Sequence, residues 1–373
     1  MQFVDTQVGL EDASRALAGA SHLFVDTEFE SNRFGSRICL LQVSRGDEIF
    51  LVDALKLSSL GPLRAVFADP RTEWVLHAGL QDVNLLVERL ELEPPRALFD
   101  TQVAWGLLTA ESAVSLAYLQ FRALGLRTSK THQADDWTRR PLPPAQLDYA
   151  AADVQHLPEL RRILGERARE LGREEIVQQA SLELLQPLRE APQPLGLDSF
   201  RNAWQLEPRQ QAGLQYLIAS YNALSAAERE SWPETKTLLA IASRLPESVD
   251  ALGRMKGVPR SFVQRAGADV VSGLRRAAAA ARAEDFVPID PIPYATFEEI
   301  RLDAWFSLAR AEVCATVSAA PELVLPGRLL RSMRVLALEA RAPEAGLSAL
   351  SGWRRTLVEP AYERFCQQYP APL

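Results

Sequence analysis

Alternation of apolar and polar positions marks a first series of strands. HLFVDTEF (22–29), RICLLQVS (37–44) and EIFLVDAL (48–55) read as three strands, the last two joined by a short turn at Arg45, Gly46 and Asp47. A helix is expected near 59–68, a strand at EWVLHA (73–78), a helix over 80–90 and a short strand at ALFD (97–100). Helices follow near 101–109 and 114–124. The stop RPLPP (140–144) opens a long helix running to about 172, with Pro144 in its first turn. Meandering strands followed by alternating helices and strands predict an α/β domain with a mixed sheet over residues 1–190.

Beyond residue 190 the strand signal stops and helical periodicity takes over. REAPQPLGLDS (189–199) has the Pro, Gly and Asp breakers of a linker, and the proline-bearing DFVPIDPIPYATFEE (285–299) divides the helical part again. Three domains are therefore expected: 1–190, 200–284 and 295–373.

Composition (47% hydrophobic, 24% charged) is that of an ordinary globular protein. The start has no basic region leading into an apolar run, and no stretch of eighteen apolar residues occurs, so a cytoplasmic protein without membrane contact is expected. Cys39, Cys314 and Cys366 stand far apart and read as free thiols rather than a disulfide framework or a zinc site. The net charge of −7 is unevenly spread: residues 1–190 hold 20 basic and 28 acidic side chains, residues 200–282 hold 12 and 7. A basic middle segment suits a polyanion handled by one part of the chain and cut by another.

The candidate chemistry lies in FVDTEFE (24–30). Residues i and i+2 of a strand share a face, so Asp26 and Glu28 crowd one volume. They repel, and raise each other's pKa, unless something positive sits between them; a metal ion is the natural candidate. Asp82, in HAGLQDVNLL (77–86), follows directly on a strand, where α/β folds often build their sites. YAAAD (149–153) places Tyr149 and Asp153 four apart on one helical face, where a phenol and a carboxylate can serve one water.

Four stretches carry a resemblance: VDTEFE, HAGLQD, FDTQ (99–102) and SKTHQADDWTRRPLPPAQLDYAAADV (129–154). Together they span nearly all of residues 20–165 and resemble the ribonuclease D family of the DEDD exonucleases, in the branch with a Tyr four residues before the last Asp. The resemblance implies a ribonuclease H-like exonuclease domain with Asp26, Glu28, Asp82 and Asp153 as ligands of two divalent ions, Mg²⁺ or Mn²⁺, and Tyr149 beside the attacking water. Two ions about 3.5–4 Å apart suit in-line phosphodiester hydrolysis. Asp26 would bridge them, Glu28 and Asp153 would hold the ion on the water side, and Asp82 the ion on the leaving-group side. A phenol with an ordinary pKa of about 10 orients water at neutral pH more readily than it strips a proton.

Other residues have two readings. Phe29 either stacks on the terminal base or packs in the core. His77 either approaches the scissile phosphate or is a packed strand-end histidine. Lys130 is a candidate phosphate contact; Arg139 and Arg140, in the same block, are weaker ones. Asp5, in FVDTQ (3–7), mimics the first motif with a single acid and reads as a turn or cap residue. Asp100 reads as an N-cap.

Residues 200–282 resemble an HRDC domain, the helical module that ribonuclease D shares with some DNA helicases. MKGVPRSFVQRAG (255–267) sets Lys256, Arg260 and Arg265 around a Gly turn at a helix N-terminus, a candidate phosphate site. Residues 297–373 read as a diverged second copy without the Gly-Val-Pro turn. The expected function is 3′–5′ exoribonuclease action on RNA with a single-stranded 3′ end, such as tRNA precursors, with no obligate protein partner. The alternatives are a DNA 3′–5′ exonuclease in repair or a non-catalytic nucleic-acid-binding scaffold; an acid at every ligand position speaks against the scaffold.

Overall fold

The computed structural model describes residues 1–373 except 33–34, 128–134, 187–193, 230 and 292–295. Lys130 therefore lies outside the described residues.

The first part runs β1 (Gln2–Val4), α1 (Gln7–Leu17), β2 (His22–Asn32), β3 (Gly35–Ser44), β4 (Ile49–Val52), α2 (Arg64–Phe67), β5 (Glu73–Leu76), α3 (Leu80–Leu90), β6 (Leu98–Asp100), α4 (Thr101–Thr109), α5 (Leu116–Leu124), α6 (Pro144–Gln155), α7 (Leu157–Glu170) and α8 (Glu174–Glu183). The strands form one sheet of order β1-β4-β3-β2-β5-β6. It is mixed: β3 and β4 are antiparallel with Val43 opposite Phe50, whereas β1 runs parallel to β4, and β5 runs parallel to both β2 and β6.

Two elements depart from the sequence reading. Gln2–Val4 forms an edge strand, and Thr6, not Asp5, caps α1 by accepting the Gly9 amide at 3.2 Å; Asp5 instead pairs with Lys56. The long helix expected from 144 is two helices separated at His156, because Pro158 has no amide hydrogen to continue the ladder.

The alternation of β2 sorts its side chains. Leu23 and Val25 enter a core shared with α1, α2 and α3, whereas Phe24 joins a second core on the α4 and α7 side. Asp26 and Glu28 continue the Phe24 face past the point where apolar cover ends. Beside them α6 rests Ala150 and Ala151 on Leu40 of β3 and Leu51 of β4.

The chain divides into two compact units. The first joins Met1–Ser31, Ser36–Glu190 and Ala295–Leu373. Its last part holds helices Phe297–Val317, Pro321–Val324, Gly327–Ala340 and Gly352–Gln368, whose Trp305, Phe306, Tyr362 and Phe365 share one continuous core with Val103, Leu107, Leu160 and Val177 of α4, α7 and α8. Gly106 of α4 makes the approach possible: a Cβ there would stand 2.7 Å from Leu323, and its carbonyl accepts the Ala320 amide at 2.8 Å.

The second unit is built on Ala191–Tyr294. Helices Pro208–Asn222, Ala226–Arg229, Thr235–Arg244, Val249–Gly253 and Arg260–Ala280 enclose their own core of Leu214, Leu217, Leu238, Ile241, Leu252, Phe262 and Leu274, with Trp232 edge-on to Phe262 at 5.1 Å. Gly257, at φ +87° and with a Cβ position only 2.7 Å from the Thr237 hydroxyl, makes the turn into the last helix.

Candidate active site

Three carboxylates from two elements converge. Asp26 and Glu28 on β2 and Asp153 on α6 each offer an oxygen, and these oxygens lie within 4.8 Å of one another. All three are partly buried, and the mutual repulsion shows in their proton affinities. Asp26 is held well above the usual carboxylate range by burial, then by the charges of Asp82, Asp153 and Glu28. Burial and the charges of Asp153, Asp82 and Asp135 push Glu28 up to about 8. Burial pushes Asp153 up to about 7, against a hydrogen bond from Tyr149 that favours its ionised form. An oxygen-rich, anionic pocket of this kind fits a hard divalent cation, which removes the repulsion that otherwise keeps the acids protonated.

Asp82 stands beside this group. It lies in the first turn of α3, buried, and accepts the hydroxyl of Thr27 at 2.5 Å. Thr27 separates the two acids of β2 in sequence, so one strand supplies two candidate ligands and, from the alternate position, the support of a third. The entry to α3 is fixed from below. Ala78 adopts a left-handed conformation (φ +54°), a strained choice for a side chain with a Cβ, and Asp100 holds it by accepting the amides of Ala78 (3.2 Å) and Gly79 (2.9 Å). Asp100 also accepts the amides of Gln102 and Val103, so the expected N-cap of α4 is at the same time the clamp on the turn that places Asp82.

Tyr149 hydrogen-bonds Asp153, four residues on. Burial, and then the charges of Asp153, Glu28 and Asp26, push its phenol above the ordinary value. It stays protonated at neutral pH and is a donor, with the Trp137 ring 6.2 Å away.

The remaining residues divide. Both ring nitrogens of His77 are engaged, Nδ1 with the Thr101 hydroxyl (2.9 Å) and Nε2 with the Val114 carbonyl (3.0 Å), and burial lowers its pKa; the structure places it in the packed reading. Phe29 is half-buried against the α1–α3 core, on the side of β2 away from the acids. Arg139 is exposed and pairs with Asp136, while Arg140 is consumed by internal contacts. Lys256, Arg260 and Arg265 are exposed around the Gly257 turn of the second unit. Sequence reasoning did not single out Asp135, whose carboxylate accepts the Gln146 amide at 2.8 Å and adds charge near Glu28. Its only signal was a place inside the third motif.

A family model described as 3′-5′ exonuclease matches residues 1–169. A ribonuclease D of Gluconacetobacter diazotrophicus is 33% identical over 345 residues, covering 89% of this chain and 84% of the relative. The ribonuclease D of Escherichia coli is 25% identical over 395 residues, covering 99% of each. In structure, the Escherichia coli RNase D crystal structure superposes with a TM-score of 0.75 at 24% identity, again over 99% of each chain, a likeness of fold. Sheet, helices and acid group define a 3′–5′ exonuclease with a ribonuclease H-like core followed by helices, a class that works with divalent metal ions. The chain belongs to the ribonuclease D family and is a 3′–5′ exoribonuclease. Among the described residues no helix is long and apolar enough to cross a membrane.

Proposed function

We propose that Asp26, Glu28, Asp82 and Asp153 hold two divalent cations, Mg²⁺ or Mn²⁺, and that with Tyr149 they remove nucleotides one at a time from single-stranded RNA 3′ ends, tRNA precursors being the fitting substrates in the cytoplasm. The observation that carries this reading is the convergence of Asp26, Glu28 and Asp153 oxygens within 4.8 Å. When bound, the cations supply the positive charge and Lewis acidity that phosphodiester hydrolysis needs. Glu28, Asp153 and Asp26 would hold the cations at the site of hydrolysis, and Asp82, fixed by Thr27, would complete the set of ligands beside them. Tyr149, hydrogen-bonded to Asp153 four residues on, would orient the attacking water and steady Asp153. Residues 200–284 fit an HRDC module that grips RNA through Lys256, Arg260 and Arg265, and residues 295–373 fit a diverged second copy. Lys130 is a candidate contact to the terminal nucleotide, whereas Phe29, packed against the α1–α3 core on the other side of β2, is not one.

The test uses 5′-labelled single-stranded RNA and matched DNA, with a free or phosphorylated 3′ end, incubated with Mg²⁺, with Mn²⁺ or with EDTA. A metal-dependent ladder shortening from the 3′ end of RNA is expected. Internal cuts, indifference to EDTA or a preference for DNA would contradict the proposal.

A further inference from the structure

Arg140 has five N–H donors and uses all of them inside the protein. Its Nε and Nη2 meet the two carboxylate oxygens of Asp53 at 2.5 and 2.7 Å, Nη2 also reaches the Cys39 carbonyl at 2.9 Å, and Nη1 reaches the carbonyls of Trp137 (2.7 Å) and Arg139 (2.8 Å). Asp53 is fully buried at the end of β4, where it also accepts the amides of Leu55 and Lys56 while its own amide donates to Val4. With no donor left over, Arg140 is not a phosphate contact.

Its location gives it another task. Cys39 lies on β3, the neighbour of β2, and Arg140 stands four residues before Pro144, the first residue of α6. One guanidinium thus ties the turn that launches α6 to two strands of the sheet. The apolar contact beneath the helix is made through Ala150 and Ala151 on Leu40 and Leu51. Such contact sets the distance between helix and sheet, but it has no direction and lets a helix slide or rotate. A bidentate guanidinium–carboxylate pair has both direction and register.

We propose that the Asp53–Arg140 pair is a positioning device for catalysis: it locks α6 in the register that carries Asp153 and Tyr149 to Asp26 and Glu28. This rests on the reading of those acids as the metal site. Asp53 is fully buried and Arg140 largely so, and a desolvated ion pair of this kind is better suited to specifying one geometry than to adding stability.

The experiment compares the full-length protein with Arg140→Lys, which keeps the charge and loses the fork, and with Asp53→Asn, nearly isosteric, which keeps the question open to test should the Lys variant not fold. Leu142→Ala, in the same apolar cluster, controls for general loosening, and Asp26→Asn for the site itself. Mn²⁺ affinity is read by calorimetry without RNA, and kcat and KM on single-stranded RNA are corrected for folded fraction. Arg140→Lys is expected to weaken Mn²⁺ binding and lower kcat by roughly 10–100-fold, the usual effect of losing a support behind metal ligands. KM stays within about twofold, and Leu142→Ala lowers Tm without the kcat loss. Wild-type Mn²⁺ affinity and kcat in folded Arg140→Lys and Asp53→Asn overturn the proposal, as does an equal kcat loss in Leu142→Ala or a change confined to KM. An active Asp26→Asn would instead overturn the site reading beneath it.

Discussion

The two helical segments close their cores differently. Residues 194–291 enclose Leu214, Leu238, Phe262 and Leu274 among their own helices. The helices of 297–368 leave Leu302, Trp305, Phe306 and Phe365 to be covered by α4, α7 and α8 of the exonuclease part. Charge differs in parallel: residues 200–282 hold 12 basic and 7 acidic side chains, residues 295–373 nine of each. A module that closes its own core keeps its surface for a partner, whereas one that lends its apolar face to a neighbour becomes part of that neighbour's scaffold. The second segment accordingly braces the catalytic unit, and the first keeps a surface free for the RNA contact we propose for it.

The strongest way to break this contrast is truncation. Ending the chain at residue 291 uncovers the apolar flanks of α4, α7 and α8, and we expect loss of the soluble, cooperatively folded exonuclease; residues 194–291 expressed alone should keep a cooperative melt. A truncated enzyme with native Tm and turnover would contradict the shared core. Single substitutions sharpen the same point. Trp305→Ala removes a ring packed on Phe306, Tyr362 and Phe365 and should cost about 3–5 kcal/mol, read by calorimetry in the catalytic transition; Leu274→Ala should cost about 2–5 kcal/mol in the other unit's transition alone.

Smaller, but specific to the catalytic unit, is its response to pH without metal. Asp26, Glu28 and Asp153 bind protons more tightly folded than unfolded. Their contribution to stability is complete below the unfolded carboxylate pKa of about 4 and is lost as pH rises through about 7 to 8. In EDTA, the Tm of the catalytic unit should therefore fall between pH 6 and 8.5, and added Mg²⁺ should restore more of it at pH 8.5 than at pH 6. A flat profile would remove the acid crowding from the account. The smallest effect is expected from Lys256→Ala with Arg260→Ala: weaker RNA binding and a salt slope reduced by about 0.7 per lost phosphate contact, with kcat unchanged. An unaltered slope would leave the basic residues of 200–282 without a role.

Much of the catalytic half was legible in the sequence, because apolar runs such as RICLLQVS and EWVLHA can scarcely be anything but buried strands, and because Asp26, Glu28, Tyr149 and Asp153 stand at the i+2 and i+4 spacings of their elements. Gln2–Val4 was missed because only Val4 of three residues is buried, too short a stretch for alternation to register. Pro158 was the overlooked signal for the break between α6 and α7. The supports of the site were not legible for a different reason. Thr27 to Asp82, Asp100 to Ala78 and Asp53 to Arg140 join residues 55, 22 and 87 positions apart, and only tertiary structure pairs them. Likewise, helical periodicity in 297–373 reveals an apolar face without saying what covers it.

The central claim is that Asp26, Glu28 and Asp153, with Asp82 alongside, gather divalent cations for hydrolysis at an RNA 3′ end. Mn²⁺ titration by calorimetry of the wild type and Asp26→Asn, with 3′-end trimming measured on the same samples, tests it most directly. The account predicts two Mn²⁺ per wild-type chain, and in a folded Asp26→Asn both weakened binding and abolished trimming; a variant that binds Mn²⁺ and trims RNA like the wild type would contradict it.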